Sequence, residues 1–216
     1  MDDYEDYEAW DKYPQYRQWF NKLFLSQQLG YYCGPSGYAP KISNTYIVRP
    51  TYNLSGMSVG ASIKYIESGD YTSVPPGYFW CEFFSGEHIS IDYTCIEGVQ
   101  TPTMSWLGEK NAEDPLRFTR WVLTDKIIEL PKPFLHMQDV SAINAEYING
   151  NLIEIHFRKS PDPVYREFIP VWEDNTSILD EYLQQGYQFL EHEDDANGFL
   201  IKKRKGFLVH ERNRIQ

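Results

Sequence analysis

Residues 46–61, YIVRPTYNLSGMSVGA, decide how this chain is to be understood. Residues 45–50 (TYIVRP) predict a short β-strand that Pro50 brings to an end, and 51–60 predict a loop rich in Gly and Ser. A loop that cradles phosphates needs backbone N–H groups facing the ligand, little side-chain bulk, and a fixed cation close by. Ser55, Gly56, Met57, Ser58 and Gly60 supply the first two, and Arg49 on the preceding strand supplies the third. No GK[ST] opens a helix after the loop, so it is not a P-loop. Taken alone, the stretch also fits plain hairpin chemistry.

Upstream, 14–29 predict a helix with Pro14 at its first position and Gly30 just past its end. Tyr16, Trp19, Phe20, Leu23 and Phe24 form its apolar face, and Lys22 lies at the edge of that stripe. Downstream, 78–93 predict two strands around Ser85-Gly86, with Ile89, Ile91 and Tyr93 alternating against His88, Ser90 and Asp92. A strand pair is expected over 117–130, and helix or irregular chain over 133–143. A helix is expected near 177–185, and a hairpin joining 187–193 to 199–209.

Residues 144–158 predict another hairpin around Asn149-Gly150. Ile153, Ile155 and Phe157 alternate with Glu154, His156 and Arg158, so one face is apolar and the other polar. A two-residue type I′ turn would put Glu146 and Glu154 on opposite faces. A three-residue loop with Gly150 in the left-handed region shifts the pairing by one and gathers Asn144, Glu146, Glu154, His156 and Arg158 on one face. Burial of Tyr147, Ile153 and Ile155 favours the three-residue loop. Two carboxylates beside a cation and a phosphate-type loop make sense as a magnesium site, because Mg²⁺ takes oxygen ligands and leans on phosphates for several of them. A solvated, charge-laced strand face is the plainer alternative.

The 216 residues allow one sizeable core or two small lobes around a cleft. A formal charge of −11 makes nucleic acid a poor partner. No apolar run approaches a membrane span, so no membrane partner is expected. The opening MDDYEDYE has no signal pattern, and residues 1–9 are expected to be a solvated, flexible acidic arm. Cys33, Cys81 and Cys95 lack CxxC spacing and imply reduced thiols in the cytoplasm.

The segment 46–61 resembles the part of the ATP-grasp superfamily in which a strand ending in Lys/Arg-Pro passes into a Gly-rich flap over the phosphates. Asn21-Lys22-Leu23 resembles the family's Asp-Lys helix segment. Residues 81–92, CEFFSGEHISID, resemble its adenine-binding hinge, with Cys81 and His88 standing where glutamates are usual. Glu154-Ile155-His156-Phe157-Arg158, preceded by Glu146, resembles its Glu-x-Asn-x-Arg motif. These motifs follow the family's order over roughly residues 20–160.

The resemblance implies an α+β fold with two small lobes and antiparallel sheets enclosing a nucleotide cleft. The lobes would span 10–84 and 85–160, with 161–216 a C-terminal extension. ATP would meet Lys22, Arg49, Ser55, Gly56, Met57, Ser58, Glu82, Phe83, Phe84 and His88. Glu146, Glu154 and His156 would hold Mg²⁺, the imidazole adding tolerance for Mn²⁺ or an outer-shell role. Arg49 and Arg158 would be catalytic. The implied activity is an ADP-forming carboxylate–amine or carboxylate–thiol ligase acting through an acyl-phosphate. About 20 residues precede Lys22, where family members carry a further domain. That leaves two expectations: a macromolecular carboxylate substrate or partner protein that completes the site, or a catalytically inactive binding or assembly protein on the same fold, its small size fitting a viral source. A third possibility is an unrelated α+β domain, in which Arg49, Glu146 and Glu154 would not line one cleft. The basic run at 202–205 suggests a solvated strand or a dock for an acidic partner.

Overall fold

The computed structural model describes residues 5–54, 58–192 and 204–215. The helix expected over 14–29 is broken. After α1 (Asp6–Lys12) comes a 3₁₀ helix, Pro14–Phe20, and then α2 (Lys22–Gln28). Asn21 makes the break: its backbone is extended (φ −78°, ψ 102°) and its side chain accepts the Phe24 N–H at 2.9 Å. It is thus an N-cap for α2, and it sets Lys22 at the first helical position. Gly30, at φ 77°, ends the segment as expected.

Two antiparallel sheets follow. The small sheet holds β1 (Cys33–Pro35), β2 (Asn44–Pro50), β3 (Ser62–Ile66) and β4 (Tyr78–Glu82), in the order β1-β4-β2-β3. Next in the chain are β5 (His88–Ile96), β6 (Val99–Lys110), β7 (Phe118–Thr124), α3 (Lys132–Leu135), β8 (Ala142–Ile148) and β9 (Asn151–His156). β10 (Glu167–Trp172), α4 (Ile178–Gln184), β11 (Gln188–Glu191) and β12 (Arg204–Val209) complete the order. The large sheet runs β11-β12-β10-β7-β6-β5-β8-β9. The fold is α+β with antiparallel sheets, as the sequence predicts.

Alternation along the central strands sorts the large sheet into two faces. Ile91, Tyr93, Ile143, Ala145, Tyr147, Ile155 and Phe157 bury one face against Ala9, Tyr13, Trp19, Phe20, Leu25 and Phe134 from the helices. Ser90, Asn144, Glu146, Glu154 and His156 lie on the other. In the small sheet, Tyr46, Val48, Ile66 and Trp80 form a separate core. Ile47, Arg49 and Cys81 alternate with these residues and line the cleft between the sheets.

Several expectations are corrected. The two strands expected around Ser85-Gly86, β4 and β5, lie in different sheets, and 83–87 connects them. The 117–130 region contributes one strand, β7, paired to β6, a strand the sequence did not suggest. Residues 5–9 are not a free arm: Asp6 and Ala9 in α1 are buried. The helices of the expected first lobe pack on the large sheet, and β10, β11 and β12 from 161–216 extend that sheet.

Gly108 shows how tightly the cleft side is built. It sits between His88 on β5 and Trp121 on β7 in one row of the sheet. A Cβ there would come 2.6 Å from the Phe118 ring and 2.9 Å from that of Trp121. Gly108→Ala is therefore expected to destabilise the protein by about 1–3 kcal/mol through overpacking. Urea denaturation measures this, and unchanged stability would mean that the two rings move aside freely.

Candidate functional site

The Asn149-Gly150 turn is a two-residue type I′ turn, not the three-residue loop expected. Both residues have positive φ, 48° and 79°, and Ile148 pairs with Asn151. Asn-Gly is the usual sequence for this turn. Yet Glu146 still faces Glu154, because the register shifts between Glu146 and Tyr147: Tyr147 pairs with Leu152, and Glu146 with Glu154. Ile153 is the extra residue of a β-bulge, which restores the facing that the turn alone would have lost. The bulge has a second consequence. Its Ile153 carbonyl accepts a hydrogen bond from Arg49 Nη2 at 2.9 Å, joining the two sheets across the cleft.

That cleft, about 820 Å³, brings together Lys22, Arg49, Ser58, Glu82, Phe83, Phe84, His88, Glu146 and Glu154. Arg49 reaches in from β2 with its guanidinium 5.3 Å from the Phe79 ring centroid, and its buried Nε has no hydrogen-bond partner. Lys22 is buried and its Nζ donates to Glu154 Oε1. The third possibility, motifs scattered away from one cleft, is thereby excluded. Ser55, Gly56 and Met57 lie outside the described residues. Ser58, at φ 54°, and Gly60, at φ 75°, both take the left-handed conformation the loop needs.

At the hinge end, Phe84 packs edge-on against Tyr31 with centroids 4.8 Å apart. The Glu82 carboxylate accepts the Tyr32 N–H at 2.8 Å, so this side chain is committed to the connection after α2. His88 is buried, with Nε2 3.0 Å from Glu146 Oε2 and its ring edge-on to Phe118. Its Nδ1 is buried without a partner. Burial raises the Glu146 pKa, but the hydrogen bond and charge of His88, with the charges of His156 and Lys22, outweigh it and hold the carboxyl at about 2.

A second cleft of about 950 Å³ continues from the first, sharing Ser58, Leu116, Phe118, Glu146 and Glu154 with it. His156 and Arg158 lie here. His156 Nδ1 is 2.7 Å from Asp6 Oδ2, and its Nε2 is 3.6 Å from Glu154 Oε1. Arg158 Nη2 donates to the same Asp6 oxygen at 3.2 Å, with Nε 2.9 Å from Oδ1. Burial opposes ionisation of Asp6, yet His156 and Arg158 bring its pKa down to about 2. Burial likewise disfavours charge on His156, and Asp6 more than offsets it, so the imidazole titrates above its ordinary range. Arg204, from the expected solvated basic run, is instead buried and paired to Asp162 at 2.9 Å.

Sequence reasoning missed Lys110, Leu116 and Phe118, which line the first cleft from β6, β7 and their connection. Burial lowers the Lys110 pKa, against the opposing charge of Glu146. Asp6 was also missed; a carboxylate in the first turn of a short helix carries no sign of a partner 150 residues away. Among the described residues no group of three or more His, Cys, Asp and Glu side chains is arranged to hold a metal, and no helix is long and apolar enough to cross a membrane.

No family model and no curated protein matches this sequence. Among solved structures, N5-carboxyaminoimidazole synthetase from Staphylococcus aureus, complexed with ADP, aligns over 91% of this chain and 68% of its own, at 9% identity and a TM-score of 0.61. N5-carboxyaminoimidazole synthase from Aspergillus clavatus, in complex with ADP and 5-aminoimidazole ribonucleotide, aligns over 89% of this chain and 68% of its own, at 6% identity and a TM-score of 0.51. A protein from Archaeoglobus fulgidus assigned to the ATP-grasp superfamily aligns over 67% of this chain and 47% of its own, at 15% identity and a TM-score of 0.40. This chain has the ATP-grasp fold.

Proposed function

We propose that this ATP-grasp chain binds ATP with Mg²⁺ in the cleft between its sheets and acts as an ADP-forming ligase that joins a carboxylate to an amine or thiol. One observation carries the proposal: Lys22 and Arg49 converge with Glu146 and Glu154 in one cleft, and Arg49 keeps a buried, unpartnered Nε there. Glu82, Phe83 and Phe84 would meet the base. Lys22, Arg49 and the loop bearing Ser55, Gly56, Met57 and Ser58 would meet the phosphates. His88, hydrogen-bonded to Glu146, would stand beside the metal-holding carboxylate.

Glu146 and Glu154 fit Mg²⁺ as a pair of facing oxygen donors that still need phosphate oxygens to complete a coordination sphere. His156, held by Asp6, would act from the outer shell. Bound Mg²⁺ would neutralise charge on the phosphoryl group being transferred. Arg49 would orient the phosphates and Arg158 the acyl-phosphate, both acting through fixed charge. The carboxylate would enter from the second cleft, where Arg158 lies.

The ion pairs favour a second reading. Lys22 pairs with Glu154 and His88 hydrogen-bonds to Glu146, so both carboxylates already have partners. A binding or assembly protein without turnover would keep these pairs and bind nucleotide without metal. Isothermal titration with ATP separates the two. The ligase is expected to bind ATP at least about tenfold more tightly with Mg²⁺ than without it, a coupling of ordinary size between sites. Metal-independent binding would support the second reading, and no binding at millimolar nucleotide would sink both.

A further inference from the structure

Cys33 and Cys81 are directly opposed on the neighbouring antiparallel strands β1 and β4. The flanking hydrogen bonds define the kind of pair they make. Glu82 N–H donates to Tyr32 O at 2.9 Å on one side, and Ser36 N–H to Tyr78 O at 3.0 Å on the other. Hydrogen-bonded and non-hydrogen-bonded pairs alternate along such a ladder. Counting inward from either end makes Cys33–Cys81 a non-hydrogen-bonded pair. Pro35 opposite Phe79 falls in the same class, as a residue without an N–H must. Side chains approach most closely at these positions, where Cα atoms stand about 4.5 Å apart, inside the span a disulfide bridges.

The two thiols have different surroundings. Cys33 is half-buried and Cys81 is buried. Hydrogen bonding with Cys81 lowers the Cys33 pKa, against burial and the charge of Glu82, with a smaller contribution from Arg49. Cys81 lines the floor of the nucleotide cleft beside Ile47 and Arg49.

We propose that Cys33 and Cys81 form a hydroperoxide-reactive pair that closes to an intramolecular disulfide, and that nucleotide in the adjacent cleft protects it. The Cys33 thiolate attacks a peroxide oxygen, the O–O bond breaks, and Cys33 becomes a sulfenic acid as hydroxide leaves and takes up a proton. Cys81 sulfur then attacks the sulfenic sulfur, its proton leaving with the hydroxyl as a second water. Two thiols lose two electrons to one hydrogen peroxide, giving the disulfide and two waters. A reducing thiol restores the pair by exchange. Protection follows from position: Cys81 lines the cleft beside Arg49, and in the nucleotide reading on which this part rests bound ATP covers it.

The test treats the full-length reduced protein with hydrogen peroxide and maps disulfide-linked peptides by mass spectrometry. A Cys33–Cys81 linkage is expected, reversed by dithiothreitol, retained in Cys95→Ser and lost in Cys33→Ser and Cys81→Ser. Failure of that linkage to form, or linkage through Cys95 instead, overturns the proposal. Saturating ATP with Mg²⁺ is expected to slow closure severalfold by covering Cys81. If calorimetry shows ATP bound and closure proceeds at the same rate, the protection is overturned. If calorimetry shows no ATP binding, the nucleotide reading fails, while the linkage map still decides the thiol chemistry.

Discussion

Glu154→Ala is expected to lower ADP release by at least about a hundredfold, the loss seen when one preorganised electrostatic group is removed from a transition-state site. The expectation rests on two properties of the side chain. It faces Glu146 across the bulged hairpin, so in the proposed ligase its loss would leave a single carboxylate to hold Mg²⁺. It is also the hydrogen-bond partner of Lys22, a buried ammonium that would be left without it. The second property gives a signature that a merely misfolded variant would lack. On the proposed reading, phosphate in the wild type would have to compete with Glu154 for Lys22 and to approach two carboxylates when no metal is bound. In Glu154→Ala the ammonium is free to meet phosphate, and half of that repulsion is gone. Metal-free ATP is therefore expected to bind the variant as tightly as the wild type or more tightly, while turnover collapses. Coupled ADP assays over a panel of carboxylates, with calorimetry in chelator, measure both. Retained turnover would remove Glu154 from the chemistry, and loss of all nucleotide binding would make its role structural.

The parts of the site that were legible in the sequence are those whose signal is local. Arg49 ends a strand at Pro50, Lys22 follows a capping Asn21, and alternation alone puts Glu154 and His156 on one face of β9. Where several residues act together at a distance, sequence was a poorer guide. Burial correctly demanded that Glu146 face Glu154, but the chain met the demand with a bulge at Ile153 rather than a longer turn. Two routes lead to the same facing, and periodicity does not distinguish them. β6 escaped notice because Pro102 and Gly108 interrupt its pattern; both positions are accommodated by neighbours on adjoining strands, a register shift beside Pro102 and the Phe118 and Trp121 rings over Gly108. With β6 went Lys110 and the cleft wall after it. The acidic start was read as solvated because its composition is polar, whereas Asp6 is buried by the very cations, His156 and Arg158, whose partners the sequence left open.

Asp6→Ala is expected to destabilise the fold by about 3–5 kcal/mol, a large part of the roughly 5–15 kcal/mol that holds a domain together. Its carboxylate is 1% exposed and meets Arg158 and His156, themselves buried, so the substitution strands a guanidinium and an imidazole away from water. The cost is that of leaving charges unpaired, not the net worth of the pair. Its pH dependence separates the ion cluster from simple packing. Asp6 is depressed in the fold from 3.8 to about 2, so its stabilisation is complete above 3.8 and is lost as pH falls through about 2. His156 is raised above 6.5, so its stabilisation is complete below 6.5 and is lost as pH rises through the folded value. The gap between wild type and Asp6→Ala should then be widest between pH 3.8 and 6.5 and should narrow on either side. Arg158 keeps its charge throughout, so part of the gap persists at high pH. Urea denaturation of both proteins across this range measures it. A gap that stays constant with pH would mean that Asp6 contributes by packing alone, and that the N-terminal helix holds β9 without help from the ion cluster at its edge.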